Sequence, residues 1–259
     1  MAWLPRLFTR RSRRPDFPSD LPPAWQLVLH ERVGVYHLLP MQYRPILHRL
    51  VNQFIKEKEF WGSRELPVTD EMRVIVAAQA CVLVLNLDRL GLYPQTREVV
   101  IYPRQFGQNL EAVGPDGAVY AVDLSRTGEV SRRGPVLLDW QSVLQSAANP
   151  GDGHNVVFHE FAHALDYLSG EANGAPPLER PEDYAEWSKV LTEEHRALMA
   201  AASMGRRILL DPYGAQNPAE FFAVATEHFF EQGRRMQRAH PALYAQLRKF
   251  YGLNPAEWG

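Results

Sequence analysis

Residues 156–170 read Val156-Val-Phe-His159-Glu160-Phe161-Ala162-His163-Ala-Leu-Asp166-Tyr-Leu-Ser-Gly170, an H-E-x-x-H pattern inside an apolar run that stops at a glycine. In a helix, positions four apart lie one above the other, so His159 and His163 can send ring nitrogens to a single point. Glu160 sits one residue round the helix, beside that point rather than on it. Two neutral imidazoles at this spacing suit Zn²⁺, and a neighbouring carboxylate off the metal suits a general base. Phe158, Phe161, Ala162, Leu165 and Leu168 make the helix apolar over most of its circumference, which predicts burial. Buried polar groups need partners, because each one left unsatisfied costs about 1–3 kcal/mol. A shared metal would satisfy all three side chains; hydrogen bonds to one another and to backbone are the alternative.

Working outward, the 259-residue chain is 46% hydrophobic and 22% charged, a globular composition long enough to bury a large core. Its formal net charge of −2 supplies no basic field, so direct nucleic-acid binding is not expected. Residues 1–25, with Arg6, Arg10, Arg11, Arg13 and Arg14 ahead of a Pro-rich stretch, are expected to be a disordered tail; residues 26–259 are expected to form one domain. The tail has neither the apolar region nor the cleavage site of a secretory signal. The longest apolar stretch, Val74 to Leu87, is broken by Gln79 and Asn86 and is too short to span a bilayer, so no transmembrane segment is expected. The single cysteine, Cys81, reads as a small buried hydrophobe, and the lack of an internal disulfide fits a cytoplasmic location.

Apolar spacing predicts helices over 41–60 and from Thr69-Asp70-Glu71 through Leu90, so that 26–95 is mainly helical. In 96–170 the period changes. Runs at 99–102, 118–122 and 135–139, separated by turn signals at Gly114–Gly117 and around Gly128 and Gly134, predict a small, mostly antiparallel sheet directly before the motif helix. Residues 171–259 return to helix near 181–203, 217–231 and 242–250. The fold class is therefore α+β, mainly helical. By analogy the element order is that of the upper lobe of zincin-like peptidases, in which the strand before the motif helix, here 135–139, can offer a free edge to an extended peptide.

A catalytic zinc needs a third protein ligand. The positions three and six after His163 hold Asp166 and Ser169, which excludes the metzincin pattern. A later segment, Asn217-Pro218-Ala-Glu220 through Glu231, supplies Glu220, Glu227, His228 and Glu231 as candidates. Glu220 stands in the first turn of an apolar helix, but with Asn217 as cap and Pro218 at the first helical position it also fits a capping box. Spacing alone leaves the choice open.

The strings His159-Glu-Phe-Ala-His163-Ala-Leu-Asp166 and Asn217-Pro-Ala-Glu220-Phe-Phe-Ala-Val-Ala-Thr-Glu227 strongly resemble the Mlc titration factor A family of bacterial metallopeptidases. So do Gln79–Asn86, the Leu-Leu-Asp-Trp140 strand end and His240–Tyr251; the resemblance covers roughly residues 30–251. It implies a glutamate-type zincin with one zinc per chain held by His159, His163 and Glu220, Glu160 as general base to a zinc-activated water, and aminopeptidase-like, regulatory action on a peptide or protein. The family's site is also similar to that of anthrax lethal factor, where a tyrosine precedes the ligand glutamate by seven residues; here that is Tyr213. Its phenol would donate to the developing oxyanion, although from the residues alone Tyr213 equally suits a turn. The aspartate that thermolysin-like enzymes place four residues after the ligand glutamate is Val224 here, which leaves Asp166 and Glu227 as candidates to hold a histidine ring. The family is named for binding the transcriptional repressor Mlc, so sequestration of such a repressor is the alternative function. A purely structural zinc would need a fourth ligand such as His154 or His228.

Overall fold

The computed structural model describes residues 20–63, 66–103, 110–113, 119–122, 134–206 and 208–258, with 110–113 and 119–122 described as backbone only. Residues 1–19 of the expected tail lie outside the described residues, as do the turn signals at Gly114–Gly117 and Gly128. The central element is helix α4, spanning Asp70–Leu83; α1, α2 and α3 precede it at Pro23–Arg32, Gly34–Leu38 and Arg44–Glu57. Thr69 caps α4 by accepting the Met72 N–H, and Asp70 and Glu71 occupy its first turn, where negative charge favours the helix N-terminus. Every residue from Val74 to Leu83 is fully buried. It is apolar all round because neighbours cover it all round.

Two helix ends differ from the spacing-based expectation. Helix α3 stops at Glu57, and Glu59–Gly62 form strand β1. Lys58 ends the helix in an extended conformation and sends its Nζ 2.8 Å to Tyr93 O and 2.7 Å to Thr96 O, which ties β1 to the loop before β2 (Glu98–Tyr102). Helix α4 ends at Leu83 rather than Leu90, since the chain must turn to begin β2, and Asn86 instead donates to Gly252 O at 2.7 Å.

The sheet beside the motif helix is parallel, which corrects the expected antiparallel one. Its order is β1-β2-β5, with β5 at Val136–Asp139 and both pairings parallel. The first crossover is α4 itself, and parallel neighbours require such a connection. Between β2 and β5 the chain forms a separate antiparallel ribbon, β3 (Leu110–Val113) with β4 (Val119–Val122). The turn signals at 114–117 lie between these two strands in the sequence, and nothing local in the sequence says that β5 returns beside β2 in the same direction. Val99, Ile101, Val136 and Leu138 bury one face of the sheet in the helical core. A further helix that the spacing did not reveal, α5 (Trp140–Ala148), stands between β5 and the motif helix, capped by Asp139, whose Oδ1 accepts the Ser142 N–H at 2.7 Å.

The motif helix α6 spans Val156–Asp166, followed by a 3-10 turn to Ser169 and a left-handed Gly170. Helices α7 (Asp183–Ser203), α8 (Pro218–Glu231), α9 (Gly233–Ala239) and α10 (Pro241–Tyr251) complete the fold. Helix α8 is buried from Ala219 to Glu231 and packs along α6, with Phe158 and Phe230 rings 5.4 Å apart. No helix among the described residues is long and apolar enough to cross a membrane.

Candidate metal centre

Two asparagine caps set the site. Asn155 Oδ1 accepts the Phe158 N–H at 3.0 Å and starts α6 at Val156, which stacks His159 and His163 with ring centroids 4.8 Å apart. Asn217 Oδ1 accepts the Glu220 N–H at 3.0 Å, with Pro218 in the first turn of α8. The capping-box alternative for Glu220 would turn its carboxylate back to the cap; instead it points across to α6. Glu220 Oε2 lies 3.0 Å from His159 Nε2 and 3.4 Å from His163 Nε2, and the two ring nitrogens are 3.2 Å apart.

This triangle fits a divalent cation. Tetrahedral zinc with bonds of about 2.0–2.1 Å to nitrogen and oxygen holds its ligand atoms about 3.3 Å from one another. Two imidazoles and one carboxylate are a donor set that suits zinc. No fourth histidine, cysteine or acid among the described residues joins the group. His154 is exposed and pairs with Asp211 at 3.5 Å, and His228 Nδ1 lies 3.0 Å from Val224 O, so neither supplies the fourth ligand of a structural staple.

The surrounding charges follow from burial and contact. Glu220 is 1% exposed; burial alone would raise its pKa, but the two imidazoles on its oxygen hold it down at about 2. Burial would likewise depress His159, yet Glu220 and Glu227 outweigh it and raise the ring to about 10 without a metal. Glu227 Oε1 accepts from His159 Nδ1 at 2.8 Å and its Oε2 accepts the Asn155 N–H at 2.6 Å, which leaves His159 Nε2 facing Glu220 and His163. Glu160 is half-buried beside both histidines, and burial pushes its carboxyl above the usual range.

The other expected residues take definite places. Tyr213 sits in a 3-10 turn, Pro212–Ala215, opened by Asp211, whose Oδ1 accepts the Tyr213 N–H at 2.7 Å; its ring centroid is 5.8 Å from that of His159. Asp166 is fully buried but does not hydrogen-bond to His163. Its Oδ2 accepts the Gly174 N–H at 2.7 Å, its Oδ1 has no hydrogen-bond partner, and burial raises it to about 6. Gly174 in turn accepts from Trp187 Nε1 at 2.9 Å, so Asp166 anchors the loop that leads from α6 to α7. Glu231, one of the four ligand candidates, is turned away from the centre. It accepts the Gly151 N–H and, at 3.0 Å, Asn155 Nδ2, and burial raises it to about 7. Asn155 also donates to Gln79 Oε1 at 2.9 Å. Sequence reasoning missed Asn155, although an asparagine just before an apolar run is a helix-start signal.

A model of the glucose-regulated metallo-peptidase M90 family matches residues 7–252. An uncharacterized protein of Synechocystis sp. is 41% identical over 241 residues, which cover 92% of this chain and 87% of that protein. A protein of Pectobacterium atrosepticum named Mlc titration factor A is 35% identical over 220 residues, covering 81% and 78%. One of the same name from Edwardsiella ictaluri is 32% identical over 211 residues, covering 80% and 79%.

Proposed function

The chain belongs to the glucose-regulated metallo-peptidase M90 family, together with relatives named Mlc titration factor A, and on that premise we propose that it is a zinc-dependent, glutamate-type peptidase with aminopeptidase-like, regulatory activity. The observation that carries this reading is the triangle of His159 Nε2, His163 Nε2 and Glu220 Oε2 at 3.0–3.4 Å. These three residues would hold the zinc, which supplies a Lewis acid that polarises a carbonyl and lowers the pKa of water. Glu160 takes the proton from the attacking water on its carboxylate and passes it to the leaving amine; burial, which raises its pKa, strengthens it as a base. Tyr213 donates its phenolic hydrogen to the oxyanion that forms on the former carbonyl. Glu227 keeps His159 in the tautomer that presents Nε2. Strand β5 is paired only with β2 among the described residues, and its other edge can take an extended peptide by backbone pairing.

The test is Glu160→Gln against His163→Ala on a peptide library with zinc present. Glu160→Gln should bind zinc and lose hydrolysis by at least about 10²-fold, as expected for a missing general base; His163→Ala should lose both. Full activity in Glu160→Gln would refute the assigned role. The name of these relatives supports a second reading, in which the chain sequesters a transcriptional repressor of the Mlc type. Repressor binding that survives both zinc removal and Glu160→Gln would favour docking over catalysis.

A further inference from the structure

Glu220, Glu227 and Glu231 are spaced seven and four residues apart along α8. At about 100° per residue they share a stripe only about 40° wide. Facing them on α6 and its cap stand Asn155, His159 and His163, each four residues from the next. The two rows meet in antiparallel order: Asn155 with Glu231 at 3.0 Å, His159 with Glu227 at 2.8 Å, and His163 with Glu220 at 3.4 Å. Two of these rungs belong to the metal centre described above. The third, Asn155 with Glu231, touches neither the triangle nor Glu160, yet both residues are almost completely buried, at 1% and 8% exposure.

Asn155 connects the third rung to the other two. Its Oδ1 caps α6, its Nδ2 reaches Glu231 and Gln79, and its backbone N–H donates to Glu227. Glu231 also accepts the Gly151 N–H, while Gln232 Nε2 donates to Gly151 O at 3.0 Å, so the loop before α6 is clamped to the end of α8 from both sides. We propose that Asn155 and Glu231 are positioning residues that act as a pair, fixing the register of α6 against α8 and, through the Asn155 N–H on Glu227, the aim of His159 Nε2 at the metal. The proposal rests on the metallopeptidase reading. It assigns a role in metal affinity to two residues that are not themselves ligands, where a merely structural pair would affect only stability.

The experiment uses the full chain with Zn²⁺ and Co²⁺. Metal affinity is measured by competition with a chromophoric chelator well below the unfolding temperature, and the visible bands of the cobalt form report coordination geometry. Glu231→Gln turns an amide hydrogen towards one of two donors, and Asn155→Asp turns a carboxylate towards Glu231 while keeping the cap on Phe158. Each should weaken metal binding about 10- to 100-fold and shift the cobalt bands, the range seen when a group that orients a metal ligand is lost. In the double variant the new amide can donate to the new carboxylate while Gln79 Oε1 still lacks its donor, so affinity and spectrum should recover part of the way towards those of the unmodified protein. Circular dichroism verifies folding, and Asn155→Asp alone carries the test if Glu231→Gln fails to fold. Unchanged affinity and cobalt spectrum in a folded single variant overturns the positioning role alone. Failure of the unmodified chain to bind either metal overturns the metallopeptidase reading and this role with it.

Discussion

Replacing Gly174 with alanine should damage both the fold and the metal centre, and Gly170 provides the internal control. Both glycines have left-handed backbones, with φ of +77° at Gly174 and +108° at Gly170. A side chain in that region costs about 1–2 kcal/mol whatever its surroundings. The surroundings then separate the two sites. A Cβ on Gly170 would meet nothing within 4 Å, whereas one on Gly174 would lie 2.5 Å from Pro218 O and 3.0 Å from Pro218 C. Those are backbone atoms in the first turn of α8 and cannot swing aside, so an overpacking cost of about 1–3 kcal/mol adds to the conformational one. Gly170→Ala should therefore lose about 1–2 kcal/mol and Gly174→Ala about 2–5 kcal/mol, measured as the difference in urea unfolding of the metal-free proteins. Pro218 stands two residues before Glu220. Displacing it should also weaken zinc binding in Gly174→Ala while leaving Gly170→Ala unaffected. Equal destabilisation in the two variants, or unimpaired zinc affinity in Gly174→Ala, would show that the loop does not brace the start of α8.

Tyr213→Phe should lower kcat on peptides by about 10²–10³ with zinc affinity unchanged, as for loss of one oxyanion donor; an unaltered kcat removes the phenol from the chemistry. Asp166 is raised from 3.8 to about 6 in the folded chain, so the native state holds its proton more tightly than the unfolded one. Its favourable contribution is present below about pH 4 and is lost as pH rises through about 6, a swing of about 3 kcal/mol that Asp166→Asn should flatten in a pH series of unfolding curves. Zinc uptake must displace the proton that His159 carries up to about pH 10 in the metal-free protein. Affinity should accordingly rise about tenfold per pH unit between 7 and 9, with about one proton released per zinc in calorimetry across buffers of different ionisation heat; binding without proton release contradicts the ion-paired metal-free site.

The parts legible from the sequence were those written in one helix at a time. The H-E-x-x-H spacing placed two imidazoles on one face of α6, and Asn217-Pro218 marked the start of α8 within a residue. What could not be read was how separate elements meet. Glu220 met the criteria for a capping box as well as for a ligand, and only the crossing of α6 and α8 brings its carboxylate beside the two imidazoles rather than back to the cap. Asp166 sits one turn from His163, where an imidazole bond was reasonable, but the path of the later loop brings the Gly174 N–H to it instead. The sheet direction failed for the same reason. Local turn residues report a hairpin, and β3–β4 form one, whereas the parallel pairing of β2 with β5 depends on a return of more than thirty residues that no local pattern encodes.

The row of acids on α8 carries a hazard of its own. Glu227 and Glu231 repeat at the same four-residue step as His159 and His163. A slide of about 6 Å between the helices, four residues at 1.5 Å each, would match both histidines with acids again and assemble a counterfeit site from Glu227 and Glu231. Asn155 breaks that degeneracy. It forms a third rung that only the native alignment can make: in the slid arrangement it would face the chain beyond Glu231, lose its acid and stand buried with unmet hydrogens, at about 1–3 kcal/mol for each such group. A chain that repeats its acids at the step of its histidines needs a further rung beyond the repeat to remain in phase, and here that rung is made by the residue that caps the motif helix.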